Sequence, residues 1–192
     1  MILDAAIPFL AEAGFSGQTR LLAQSLGISH SVLYRHFPTK ELLIQAVCTE
    51  MFERRWQPAW AAVLHDASLP LEKRLLHFYR AAGALLLAPE WVRIALAAGL
   101  TGQAKSSGLR SLLEDRVVHP VAETLRTPRG SGAALTEPEA REQAWALQGR
   151  VFYLGARLAV WRGATPRDPD AALSAAIAGF CRGARALAAA EA

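Results

Sequence analysis

Cysteine is almost missing from this chain. Cys48 and Cys181 are the only two in 192 residues, and they lie far apart. That excludes a disulfide framework and a CxxC pair, and it points to a reducing cytoplasm. Long apolar runs are missing as well. No uninterrupted run reaches the ~18 residues of a membrane helix. The nearest stretch, Ala144 to Trp161, holds Gln148, Arg150 and Arg157. The amino terminus lacks the charged-then-apolar pattern of a secretory signal. Strand-like alternation and internal repeats are also lacking. No nucleophile–base pair, phosphate loop or acid–base carboxylate pair stands out, so no enzymatic activity is expected. His30 and His36 lack a usual metal spacing, and His65, His77 and His119 are scattered, so no metal and no cofactor are expected. Cys48 is expected to be a small buried hydrophobe.

What the chain does have is apolar content and helix formers. Hydrophobic residues make up 52% of it, enough for a buried core. Alanine is its commonest residue, and its bases are mostly arginine; both favour helix. The expected fold class is all-α with about nine helices. Net charge is +4, but residues 1 to 57 hold as many acids as bases, so overall charge carries no argument about partners. Local charge says more. Between Glu12 and Glu41 there is no acid, while Arg20, Arg35 and Lys40 are present. A surface meant for phosphates has this character.

Punctuation divides that acid-free region. Residues 2 to 13 form a first helix ended by Gly14, with Pro8 expected to kink or shorten it. Leu21 to Leu26 form a short second helix, with Gln18 or Thr19 at its start and Gly27 at its end. Ser29 is a good N-cap for a third helix running to Phe37. Pro38 closes that helix, and Thr39 caps a fourth. Helix, glycine turn, helix is the outline of a helix-turn-helix. At about 100° per residue, Leu33 and Phe37 share a core face. His30, Ser31 and Tyr34 fall on an adjoining face, suited by chemistry to a major groove.

The stretch TRLLAQSLGISHSVLYRHFPTKELL closely resembles the DNA-binding motif of the TetR/AcrR family of bacterial transcriptional regulators. Ala23, Gly27, Ile28, Ser29, Leu33, Tyr34, His36, Phe37, Lys40, Glu41 and Leu42 occupy the family's positions, and the resemblance covers roughly residues 2 to 47. It implies that His30, Ser31 and Val32 face bases. It implies that Thr19, Tyr34, His36 and Lys40 bind phosphates, and that Arg20 reaches a base. Arg20 has the fork for guanine, and Val32 the methyls to pack on thymine. Two departures stand out. Met1-Ile2-Leu3 stands where relatives usually carry a basic arm, and the turn after Gly14-Phe15 is one residue short.

The expected division is a DNA-binding domain over residues 1–47 and a helical effector-binding and dimerisation domain over 48–192. Leu71 to Leu87, a short helix from Pro89, Leu109 to Arg126 interrupted at Pro120, a helix from Thr136 to about Trp161 and a last one from Pro169 to about Ala190 follow from period and breakers. TPRGSGAAL, 127 to 135, reads as a linker. Apolar stripes on the last two helices include Trp145, Phe152, Leu158 and Trp161, then Ile177, Phe180 and Ala184. They suit either an ordinary core or a bundle shared with a second copy. The resemblance implies the second, a homodimer on a palindromic operator. It also implies a pocket among the middle helices, with Phe78, Tyr79, Leu86, Trp91, Ile94 and Leu113 as candidates for a small hydrophobic effector. The expected function is a sequence-specific DNA-binding repressor released by that ligand. The rival is a helical ligand-binding or enzymatic protein whose helix-turn-helix mediates protein contacts.

Overall fold

The structure is a computed structural model. It describes residues 2–102, 108–126, 135–161 and 165–190, with side chains described through residue 183. Among the described residues the fold is helical and contains no strand.

Four helices build the amino-terminal part: α1 (Ile2–Ala13), α2 (Thr19–Ser25), α3 (His30–His36) and α4 (Lys40–Arg55). Their ends follow local chemistry. Gly14 and Gly27 take left-handed backbone, with φ of 64° and 65°, and stop α1 and α2. The Ser29 hydroxyl accepts from the Val32 N–H at 3.3 Å. Thr39 caps α4 in the same way, accepting from Leu42 N–H at 3.2 Å. These caps satisfy amides that would otherwise lack a partner. Pro8 does not shorten α1, which runs on to Ala13. The missing bond would have gone to the Asp4 carbonyl in the first, solvated turn.

The body follows with α5 (Ala59–Ala62), a 3₁₀ turn (Val63–His65), α6 (Leu71–Leu86) and α7 (Pro89–Leu100). Next come α8 (Leu109–Leu113), a π turn (Glu114–Val118), α9 (His119–Arg126), α10 (Glu137–Ala159) and α11 (Pro169–Ala190). The sequence pattern misses α5, whose four residues are too short for periodicity to show. As expected, the α-helix begun at Leu109 is interrupted ahead of Pro120, by the π turn, where the His119 N–H bonds back to the Glu114 carbonyl, five residues away. The widened turn absorbs the proline ring that would clash in a regular α turn. A full capping box opens α10: Thr136 Oγ1 accepts from the Glu139 N–H at 3.5 Å, and Thr136 N–H donates to Glu139 Oε2 at 2.8 Å. The proposed linker lies outside the described residues, save Leu135.

One apolar core runs through both parts. Residue 47, the expected boundary, falls inside α4. Val47, Cys48, Met51 and Phe52 are at most 1% exposed there and join the two regions. Helix α1 also packs on α7, and α4 on α8. The reading head is therefore mounted on the body by continuous packing. Around the end of α4 lies a chain of rings. Phe52 stacks on Trp56 at 5.2 Å and meets Trp91 at 5.3 Å. Trp56 meets Trp60 and Phe78, and Phe78 meets Tyr79 at 5.0 Å. Such pairs add about 0.5–1.5 kcal/mol each beyond burial.

Candidate nucleic-acid interface

Leu22 and Ala23 of α2 and Leu33 of α3 are at most 1% exposed, so the two short helices are clamped to the core by their inner faces. Phe37 is half-buried and packs on that core. Arg20, His30, Ser31, Arg35 and His36 are exposed, and Val32 and Tyr34 are half-buried. The outer face of the motif is thus polar, cationic and aromatic, with no carboxylate between Glu12 and Glu41. A short helix of this kind fits a major groove, with its first residues over base edges.

Two candidate phosphate ligands sit differently from the expectation. Thr19 is only 8% exposed. Its hydroxyl is engaged by His30 Nε2 at 3.0 Å and by the Tyr34 hydroxyl at 3.3 Å. The His30 and Tyr34 rings pack 4.6 Å apart, tilted by 57°. Lys40 Nζ donates to the Gly17 carbonyl at 2.8 Å and so fastens the α1–α2 turn to the start of α4. That turn is tight: a Cβ on Gly17 would lie 2.8 Å from Ala13 Cβ. The short loop noted in the sequence is accommodated because this glycine has no side chain. Ser31 Oγ lies 2.8 Å from Ser29 Oγ, so the N-cap and a base-facing candidate share one hydrogen bond. The Thr19–His30–Tyr34 cluster is not evident in the sequence. Its members are 11 and 15 residues apart, and only the crossing of α2 and α3 brings them together.

Of the effector candidates, Phe78, Tyr79, Leu86, Trp91 and Ile94 are buried to 1% exposure or less, and Leu113 is half-buried. The Tyr79 hydroxyl is buried with no hydrogen-bond partner among the described residues, and burial pushes its pKa upward. Gln148 Oε1, on α10, is likewise buried and unpartnered. Of the proposed dimer residues, Trp145, Phe152 and Leu158 are half-buried and Trp161 is 46% exposed. Ile177 and Phe180 are buried inside the chain itself, at 0% and 4%, so within one protomer they serve as core. Ala184 lies outside the described side chains. Sequence reasoning missed Tyr153, which is 57% exposed and packs 5.2 Å from Trp161. Among the described residues no group of three His, Cys, Asp or Glu is placed to hold a metal ion. Nor is any single helix among them long and apolar enough to cross a membrane.

An acid-free helix-turn-helix on an all-helical body defines a DNA-binding regulator by its fold and its surface. Residues 2–47 match the family model for bacterial regulatory proteins of the tetR family. A crystal structure described as that of a TetR-family transcriptional regulator from Mesorhizobium loti MAFF303099 superposes with a TM-score of 0.65. It is 18% identical and covers 95% of this chain and 94% of its own, a likeness of fold. No curated protein matches the chain. The amino-terminal helix-turn-helix is thus similar to that of TetR-family DNA-binding regulators, and the whole fold is like that of a solved protein described as one.

Proposed function

We propose that the protein is a cytoplasmic, homodimeric repressor that binds a palindromic operator and is released by a small hydrophobic ligand. The observation that carries the DNA part is the outer face of α2 and α3. Arg20, His30, Ser31 and Val32 meet base edges, and Tyr34, His36 and Lys40 meet phosphates. Lys40 keeps two donors beyond the one given to Gly17. Thr19 contributes by holding His30 and Tyr34 in place. A second copy doubles the contacts and sets two reading heads about one or more helical turns apart.

The exposed rings of Tyr153 and Trp161, with half-buried Trp145 and Phe152, support a partner on α10. An isologous pairing buries the same stripe on both copies. The ligand reading rests on Phe78, Tyr79, Leu86, Trp91, Ile94 and Leu113. The rings reach α4 through Phe52 and Trp56, so a molecule that displaces them acts on the helix carrying Lys40. It acts only through a difference in affinity between the two arrangements of the dimer. An electrophoretic mobility shift on DNA flanking the gene tests the DNA reading. Wild type binds with strong salt dependence, and Tyr34→Ala and Lys40→Ala bind at least about tenfold more weakly. Equal binding by all three contradicts it.

A further inference from the structure

We propose that Arg35 reads a guanine on the floor of the major groove and so fixes one G·C pair in each half-site. The proposal rests on the DNA-binding reading and adds a specificity-determining residue to the same face. It follows from the pitch of one short helix. Successive residues of an α-helix point about 100° apart. Leu33 is 1% exposed and Phe37 packs on the core, so these two mark the inner side of α3. Arg35 is exposed and points about 160° away from each of them. No other residue of α3 stands so directly opposite the core.

Its neighbours fix what it faces. Tyr34 and His36 point about 100° to either side of Arg35. Tyr34 is on the flank that meets Thr19 of α2, and His36 is on the other. In the proposed complex both meet phosphates, one on each wall of the groove. The side chain between them then points at base edges. Ser31 lies four residues earlier on nearly the same line, about 6 Å along the helix axis. The two residues therefore reach bases roughly two steps apart.

Chemistry singles out Arg35 on this face. Much of the polar chemistry beside it is already engaged within the protein. His30 Nε2 and the Tyr34 hydroxyl lie 3.0 and 3.3 Å from Thr19 Oγ1. Ser31 Oγ lies 2.8 Å from Ser29 Oγ. Val32 has no side-chain donor. Arg35 brings five N–H donors in a planar fork. No carboxylate lies on α2 or α3 to hold that fork back. Guanine presents O6 and N7 side by side in the major groove and accepts two of these donors at once. Adenine pairs one acceptor with a donor, so it cannot accept both.

The test starts with duplexes that wild type recovers from a random-sequence DNA library. Fluorescence anisotropy at fixed salt then compares wild type, Arg35→Ala and Arg35→Lys on the recovered duplex. The same proteins are titrated with duplexes in which each base pair of the half-site is replaced in turn, and with an unrelated duplex. One G·C pair is expected at which replacement weakens wild type about ten- to hundredfold. Both variants are expected to be nearly indifferent at that pair and unchanged at the others, because lysine keeps the charge but not the fork. Their binding to the unrelated duplex is expected to stay close to that of wild type. Arg35 is exposed and faces away from the core, so circular dichroism and melting are expected to be unchanged. Variants that keep every wild-type base preference overturn the proposal. So does a loss in Arg35→Ala that is equal on all duplexes and restored in Arg35→Lys, which is the behaviour of a phosphate contact. A wild type that binds no duplex, or recovers no preferred sequence, instead contradicts the DNA-binding reading itself, and the role of Arg35 with it.

Discussion

Deleting one oxygen from the core is expected to make this protein more stable. Tyr79 is 0% exposed, and its hydroxyl has no hydrogen-bond partner among the described residues. A buried polar group left in that state costs about 1–3 kcal/mol. Tyr79→Phe removes the cost and keeps the ring against Phe78. The space left by one oxygen, roughly 10–20 Å³, costs only about 0.2–0.5 kcal/mol at the usual penalty per unit of cavity. The net expectation is stabilisation by about 1 kcal/mol or more, a rise in Tm of roughly 2–4 °C for a chain of this size. The pH dependence supplies a second reading of the same oxygen. Burial raises the folded-state pKa of the phenol. Above about pH 10 the unfolded chain therefore sheds a proton that the folded chain keeps. The stability of the wild type is full below that point and falls as pH rises, by up to about 1.4 kcal/mol per pH unit from this group. The variant lacks that component, so its advantage over wild type widens from pH 10 to 11. Thermal and urea melts followed by far-ultraviolet circular dichroism read both effects. A variant less stable than wild type at pH 7, with a constant difference up to pH 11, refutes the reasoning.

Three further expectations concern other parts of the fold. Gly17→Ala drives a Cβ to 2.8 Å from Ala13 Cβ and 3.2 Å from Phe9, neither of which yields easily; a loss of about 1–3 kcal/mol in a urea melt is expected, with weaker DNA binding as the Lys40 anchor shifts. Gly155→Val crowds the contact of α10 with α7, where an added Cβ already falls 2.9 Å from Val92; a loss of about 1–3 kcal/mol is again expected, and an unchanged melt would show that the helices separate freely. Tyr153→Arg together with Trp161→Arg charges the exposed rings on α10 and just beyond its end; if the proposed dimer forms there, sedimentation is expected to show monomer at concentrations where wild type is dimer, with helix content unchanged.

The amino-terminal part was almost fully legible because its signals are local. Gly14, Gly27, Ser29, Pro38 and Thr39 each act on the backbone within a few residues, so the helix ends follow from the chain itself. The acid-free stretch was equally visible. Thr19 was expected at the entry of a helix from Leu21 to Leu26, whereas α2 begins at Thr19 itself; its engagement by His30 and Tyr34 depends on how two helices cross, which no local pattern encodes. Lys40 is similar, since its partner is the carbonyl of Gly17, 23 residues upstream. In the body, the proline rule marked the break ahead of Pro120, but it could not say that the break would take the form of a π turn over Glu114–Val118 with the helix continuing beyond it. The stripe on α11 was correctly seen as apolar. Periodicity alone could not tell that Ile177 and Phe180 face their own protomer, because a core stripe and an interface stripe have the same period.

The central claim is that α3 enters a major groove, and footprinting on the DNA flanking the gene tests it most directly. Protection of two half-sites related by a dyad, about one or more helical turns apart, is expected. Protection is expected to weaken steeply between about 50 and 200 mM salt and to be lost in Tyr34→Ala at protein concentrations that saturate wild type. Protection that is uniform along any DNA, or that survives in Tyr34→Ala, contradicts the account.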